Sequence, residues 1–275
     1  MIVPGPPLLS ASRRRDTEEG VRNLRSRSPR VRFNARTLPG SFVIPWLDTD
    51  AAFPPLDAAL HEPNGLLAAG ADLSPARVVD AYRRGIYPWY SEGEPLLWWS
   101  PDPRMVLFVD EFRMSRSLAR RIRRREFEIR CDTAFDEVIA SCAHAPREGQ
   151  DGTWITQDMI DAYSRLHALG YTHSIEAWRD SELVGGLYGV ALGNVFFGES
   201  MFARATDASK VCLAALVAFL QQCGGGLIDC QQETAHLASM GARPIARKDF
   251  ARKLRELIHS NRPPPGWPNG PLEHG

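Results

Sequence analysis

Residues 195–231 read VFFGESMFARATDASKVCLAALVAFLQQCGGGLIDCQ. Val195 to Phe202 is an apolar run interrupted by Glu199, and it predicts a strand. Asp207 opens a mostly apolar stretch to Gln222, which predicts a helix that is buried on most of its surface. Gly224-Gly225-Gly226 precedes a strand instead of opening a helix, so it reads as a loop. Leu227 to Gln231 is a short strand that ends in a carboxylate and a carboxamide two positions apart. Side chains at i and i+2 of a strand share a face, so Asp229 and Gln231 are expected to project side by side.

Outward from this stretch, Thr172 to Arg179 and Leu183 to Leu192 predict two more strands, and Gly193-Asn194 is a two-residue hairpin signal before Val195. An antiparallel meander, a buried helix and then a parallel strand is the order of acetyltransferase-like folds. The fold class is therefore α/β (α+β), with a mixed sheet and helices on both faces. Further upstream, Met105 to Val109 and Glu126 to Arg130 predict strands. Ser115 opens a basic helix to Arg125, and Thr156 caps a helix with Met159, Ile160, Tyr163 and Leu166 on its apolar face. Downstream, Glu233 to Met240 and Asp249 to Ile258 predict helices.

The part before Met105 has a different texture. Ser74-Pro75 reads as an N-cap and a first-turn proline of a helix that stops at Gly85. Ile86-Tyr87-Pro88-Trp89-Tyr90 and Leu97-Trp98-Trp99-Ser100-Pro101-Asp102-Pro103-Arg104 hold too many prolines for a long helix and enough aromatics for a packed wall or a stacking surface. Residues 1–41 carry repeated arginines among Ser, Pro and Glu with few apolar residues, the composition of a disordered extension. It fits either a nucleic-acid contact or an inert addition. The expected organisation is a disordered head (1–41), a small N-terminal domain (42–104), an acetyltransferase-like catalytic domain (105–260) and a disordered proline-rich tail (261–275).

The 275 residues carry zero formal net charge, so any anion binding must come from local clustering of basic groups. Five cysteines without a C-x-x-C pair argue against a disulfide framework and a zinc ribbon, and fit reduced cytosolic thiols. No cluster has metal-ligand spacing, and no phosphate-binding glycine motif is present. The longest apolar run is too short for a bilayer, and the N-terminus does not read as a secretory signal.

Several residues could carry chemistry. Arg116, Arg120, Arg123 and Arg124 fall on one helix face, with Leu118 and Ile122 opposite. Such a stripe suits a phosphate backbone or is simply a solvated basic face. Glu199 sits in an apolar strand, where a carboxylate needs either a structural partner or a basic group from a substrate. Trp154 precedes a helix as a core residue or a stacking platform. Asp207 at a helix start caps it or helps bind an anion.

Taken together these segments resemble the bacterial leucyl/phenylalanyl-tRNA–protein transferases. The resemblance rests on Phe53-Pro54-Pro55-Leu56, Gly65 through Pro75, Tyr82 through Tyr90, Leu97 through Arg104 and Gly152-Thr153-Trp154-Ile155. It continues through Gly185-Gly186-Leu187-Tyr188-Gly189, Phe197 through Phe202 and Ile228-Asp229-Cys230-Gln231, in the family's order from about Phe42 to Ile258. It implies a cytoplasmic enzyme without cofactor or metal, probing no membrane and working as a monomer. Such an enzyme moves Leu or Phe, less readily Met, from its aminoacyl-tRNA to the N-terminal amine of proteins beginning with Arg or Lys, which marks them for N-end rule degradation. It further implies that Gln231 engages the attacking amine with Asp229 polarising it, and that Glu199 lies near the acceptor. Phe196, Ser200 and their neighbours would line the pocket for the donor side chain. Trp89 and Trp154 would contact the terminal adenosine, and the basic helix would hold the acceptor stem. The sequence departs from the family's usual residues at Thr234, Ala203 and Asp207.

Other classes fit less well. A coenzyme-A-dependent N-acetyltransferase would need a glycine-rich pyrophosphate loop where this chain has Ala205-Thr206-Asp207-Ala208-Ser209-Lys210. A non-catalytic tRNA-binding module would keep the arginine stripe without needing Asp229 and Gln231. A cell-wall peptide aminoacyltransferase shares the donor chemistry but takes a lipid-linked acceptor, and nothing in the sequence suggests a membrane surface.

Overall fold

The computed structural model describes residues 34–38, 42–145, 154–258 and 266–272. Its first part contains β1 (Asn34–Leu38), β2 (Phe42–Leu47), β3 (Leu66–Gly70), α1 (Pro75–Arg83), β4 (Tyr87–Pro88) and β5 (Leu97–Trp99). The strands form one sheet in the order β1-β2-β3-β5-β4. The first strand begins at Asn34, ahead of the expected start of order near Phe42, and pairs antiparallel with β2. The remainder of the arginine-rich head, residues 1–33 and 39–41, lies outside the described residues. Pro75 occupies the first turn of α1, and Val78, Val79, Ala81 and Tyr82 form its buried face. The tryptophans build a wall: Phe53 meets Trp98 edge-on at 4.9 Å, and the Trp98 indole N–H donates to the Gly70 carbonyl at 2.9 Å.

The second part contains β6 (Arg104–Phe108), α2 (Arg116–Arg123), β7 (Glu128–Cys131), α3 (Phe135–His144), α4 (Gln157–Ala168) and β8 (Thr172–Arg179). It continues with β9 (Glu182–Leu192), β10 (Val195–Ala203), α5 (Ala208–Gln222), β11 (Leu227–Gln231), α6 (Ala235–Ser239), β12 (Arg243–Ile245), α7 (Arg247–Leu257) and β13 (Gly270–Pro271). The strands make an 8-stranded sheet in the order β12-β6-β11-β10-β9-β8-β7-β13. β8, β9 and β10 form the expected antiparallel meander. β11 returns parallel to β10, with Val195 opposite Leu227 and Phe197 opposite Asp229. α5 makes the crossover and packs on one face of the sheet with Leu107, Ile129 and Phe196, while α3 and α4 pack on the other with Phe197 and Tyr188. The mixed sheet with helices on both faces is thus the one expected.

Local chemistry explains most boundaries. Ser115 Oγ accepts from the Leu118 N–H at 3.2 Å and Thr156 Oγ1 from the Met159 N–H at 3.3 Å, so both predicted caps are made. Asp207 departs from the capping reading. Its backbone is left-handed (φ 63°) and its side chain takes Lys210 at 2.8 Å and Arg121 at 3.4 Å instead. Gly226 (φ 152°) sets the start of β11, since a β-carbon there would lie 2.2 Å from the Asn194 carbonyl oxygen.

The expectation of a disordered tail over 261–275 needs correction for residues 266–272. Gly270 and Pro271 pair with Cys131 and Arg130 at the sheet edge, where a proline is tolerated. Trp267 stacks on His173 at 4.0 Å and packs against Phe219 at 4.9 Å. The proline-rich composition conceals one aromatic that covers the α5 layer. Residues 261–265 and 273–275 of the tail lie outside the described residues. Trp267→Ala is expected to cost about 1–2 kcal/mol, less than a fully buried aromatic because Trp267 is half-buried. Urea unfolding of the variant against wild type measures this directly.

Candidate active site

The end of β11 lies beside β6 and β10, and α1 and α4 close over β10. Asp229 and Gln231 share a face as alternation predicts: Ile228 and Cys230 pack on the α5 side, while the partners of Asp229 and Gln231 lie among Tyr82, Tyr87, Tyr163 and Phe250 on the other. The pairing of β11 with β6 is bulged between them, and Gln231 adopts φ 61°. On that shared face, the bulge and the left-handed turn give the two side chains different partners.

Asp229 faces Arg104. The guanidinium Nε and Nη2 donate to its carboxylate at 2.8 and 2.7 Å, and both side chains are 0% exposed. Tyr87 and Phe250 lie on the guanidinium at 4.7 and 4.8 Å. Burial works against the Arg104 charge, but the Asp229 charge and hydrogen bonds outweigh it and hold its pKa above the ordinary value. Asp229 Oδ1 also accepts the Gln231 backbone N–H at 2.9 Å, so the carboxylate fixes the turn that aims Gln231.

Gln231 faces Glu199. Its Nε2 donates to Glu199 Oε1 at 2.9 Å, and no hydrogen bond from a described residue reaches its amide oxygen. Glu199 sits at a bulge of β10 between Gly198 and Ser200. The Tyr82 hydroxyl from α1 donates to its Oε1 at 2.7 Å, the Tyr163 hydroxyl from α4 lies 3.1 Å from its Oε2, and the hydroxyls of Tyr82 and Tyr163 also touch. Burial pushes the Glu199 pKa up to about 7, against hydrogen bonds from Tyr82, Tyr163 and Gln231 that lower it and the Asp229 charge that raises it. Burial likewise lifts the Tyr82 and Tyr163 phenols well above their usual range. Glu199 is 1% exposed and fully engaged, so it offers no open carboxylate to a basic side chain.

The remaining expected residues are distributed. Phe196 is fully buried on the α5 face, 5.7 Å from Trp267, whereas its neighbour Phe197 faces the cluster at 5.0 Å from Tyr82. Alternation along β10 makes this division inevitable. Ser200 is buried opposite Tyr188. Trp89 and Trp154 are 4% and 3% exposed, which makes them walls and not open platforms, and their indole N–H groups have no partner among the described residues. Trp89 meets Trp99 edge-on at 5.3 Å. Arg116, Arg120, Arg123 and Arg124 are all exposed along α2.

Residues 106–255 match the family model described as leucyl/phenylalanyl-tRNA protein transferase, and residues 71–102 match the model of its N-terminal domain. A leucyl/phenylalanyl-tRNA–protein transferase of Thiobacillus denitrificans is 60% identical over 215 residues, 78% of this chain and 94% of its own. Those of Nitrosospira multiformis and Azoarcus sp. are 57% and 58% identical, over 79% and 82% of this chain and 93% and 95% of theirs. The chain belongs to the leucyl/phenylalanyl-tRNA protein transferase family. Among solved structures, L-PGS from Bacillus licheniformis aligns over 69% of this chain and 65% of its own, with a TM-score of 0.34 and 12% identity, too distant to bear on fold or chemistry.

As a member of this family the protein is an aminoacyl-tRNA-dependent transferase, and its site includes residues that sequence reasoning passed over. In the sequence Arg104 is only the end of a proline-rich block, Tyr82 the start of an aromatic one and Tyr163 an apolar helix position. One signal was available for Arg104. A carboxylate inside the apolar strand Leu227–Gln231 needs a buried cation, and an arginine opening a neighbouring apolar strand is the natural candidate. Thr234, one of the departures from the family's usual residues, caps α6 through Oγ1 to the Leu237 N–H at 3.2 Å.

Proposed function

We propose that this transferase moves leucine or phenylalanine, and less readily methionine, from aminoacyl-tRNA to the N-terminal α-amine of proteins beginning with Arg or Lys. The product enters N-end rule degradation in the cytoplasm, and the enzyme acts as a monomer. Residues 42–104 serve as the N-terminal domain and 105–260 as the catalytic domain.

The observation that carries the reading is the fixed carboxamide of Gln231, whose nitrogen is held by Glu199 and whose oxygen is left for an incoming N–H. The aminoacyl ester is already activated, so the reaction is aminolysis: an amine–carbonyl bond forms, the ester C–O bond breaks, and a proton passes from the amine to the departing ribose oxygen. A carboxamide is a poor base, so Gln231 orients the amine lone pair and does not keep its proton. Asp229 acts on Gln231 through the backbone turn. Trp89 and Trp154 would back the site of the terminal adenosine as walls, and Phe196 and Ser200 would shape the donor pocket from the strand behind it.

The exposed cations of α2 suit the phosphates of the acceptor stem. Replacing Arg120 and Arg123 by alanine is expected to weaken Leu-tRNA and Phe-tRNA equally. Each lost phosphate contact lowers the slope of log affinity against log salt by roughly 0.7–0.9. Filter binding at several salt concentrations reads both effects.

The reading is tested with radiolabelled Phe-tRNA and two peptides that differ only at the N-terminus, Arg against acetyl-Arg, without ATP or coenzyme A. Label is expected in the free-amine peptide alone. Label in neither, with tRNA still bound, would favour a tRNA-binding module.

A further inference from the structure

Tyr82, Tyr163 and Glu199 form three mutual oxygen–oxygen contacts. Each needs a proton between its oxygens, and each phenol supplies only one. An ionised Glu199 would leave one contact with facing lone pairs. A neutral Glu199 completes the set: its Oε2–H donates to Tyr163, Tyr163 donates to Tyr82, and Tyr82 donates to Oε1. Oε1 is then a carbonyl oxygen, which still accepts from Gln231 Nε2, as the 2.9 Å contact requires.

The geometry points to Glu199 as a neutral carboxylic acid held in a proton-filled ring by Tyr82 and Tyr163, a positioning residue that locks the Gln231 carboxamide with its oxygen turned to the attacking amine. This rests on the transfer reaction proposed above and adds the residues that set its geometry. The ring also joins the helix of the N-terminal part to the catalytic sheet, because Tyr82 lies on α1 and Glu199 on β10.

The charged and titratable groups around Glu199 agree. Tyr82 faces it from α1, Tyr163 from α4 and Asp229 from β11, with Tyr188 on β9 edge-on to Tyr163 at 5.9 Å. Arg104 on β6 is spent on Asp229, and Tyr87 lies on that guanidinium with its pKa pushed up to about 12 by burial. Burial of Glu199, raising its pKa to about 7, is consistent with a proton that stays on at neutral pH and leaves just above it.

Loss of that proton breaks the ring, so wild-type kcat/KM is expected to show an alkaline limb near neutrality on top of the rise from free-amine formation. Glu199→Gln keeps a carbonyl toward Gln231 and Tyr82 and an N–H toward Tyr163, and it cannot ionise. It is expected to lower kcat/KM severalfold at pH 6 and to lack the limb, so that its ratio to wild type rises about 30-fold by pH 8.5. Tyr82→Phe removes a hydrogen bond that lowers the Glu199 pKa, so its limb is expected at higher pH. The same proton also appears in stability. Folded Glu199 keeps it between the unfolded carboxyl pKa near 4.3 and about 7, so wild-type stability falls as pH rises through that window and the glutamine variant's does not. Urea midpoints at pH 5.5 and 8 measure this and require no activity. A glutamine variant that folds, binds Phe-tRNA and transfers nothing at any pH would overturn the inference, because a carboxylate would then be required. So would a retained alkaline limb, or identical pH dependence of unfolding. A wild type that transfers no label overturns the functional reading instead and leaves the ring to be decided by unfolding.

Discussion

Asp229→Ala is expected to destabilise the fold by about 3–5 kcal/mol, because it strands the Arg104 guanidinium in a fully buried site with its cation uncompensated. For a chain of this size that corresponds to a fall in melting temperature of about 10 °C or more. Lost transfer in this variant therefore reports the state of the fold as much as the chemistry. Pairing the change with Arg104→Met, which removes the cation and keeps an apolar side chain between Tyr87 and Phe250, is expected to recover most of the stability without recovering transfer. Thermal unfolding of the single and double variants checks it, and additive losses in the double variant would contradict the coupling.

Gln231→Ala is expected to do the opposite: a small effect on stability and a loss of transfer of about 100-fold or more, the order seen when a preorganised hydrogen-bonding group is removed from a reacting centre. The side chain contributes one hydrogen bond to the fold, to Glu199, and the Asp229 contact to its backbone N–H persists in alanine. Affinity for Phe-tRNA is expected to stay within a few-fold of wild type, since the phosphate contacts proposed for α2 are untouched. Single-turnover transfer at saturating Phe-tRNA separates the two quantities.

These opposite roles for residues two apart show where sequence reading stops. The meander, the buried crossover helix and the parallel strand were legible because each carries a local signature: the Gly193-Asn194 turn, the unbroken apolar run of α5, and the caps at Ser115 and Thr156. α3 was missed because its N-cap position, Ala134, makes no side-chain cap and announces no start. The first sheet was illegible as strands because β4 and β5 are two and three residues long and lie among prolines and tryptophans.

The site was half legible. Glu199, Asp229 and Gln231 announce themselves as polar residues in apolar strands. Their partners do not: Tyr82 lies 117 residues from Glu199 and Arg104 lies 125 from Asp229, and only the packing of α1 and β6 against β10 and β11 brings them together. Alternation assigns Asp229 and Gln231 to one face, and they keep it, but a single left-handed residue at a bulge gives each its own partner. That residue is Gln231 itself, a non-glycine in the conformation where strain tends to accompany function.

The most direct measurement is the position of the new bond. After incubation with Leu-tRNA, a peptide beginning with Arg and carrying an internal lysine is fragmented in a mass spectrometer. Leucine on the α-nitrogen of the first residue, and none on the lysine side chain, is the result predicted by an amine oriented against Gln231. Leucine on the internal lysine, or an unmodified peptide in the presence of bound Leu-tRNA, would contradict it.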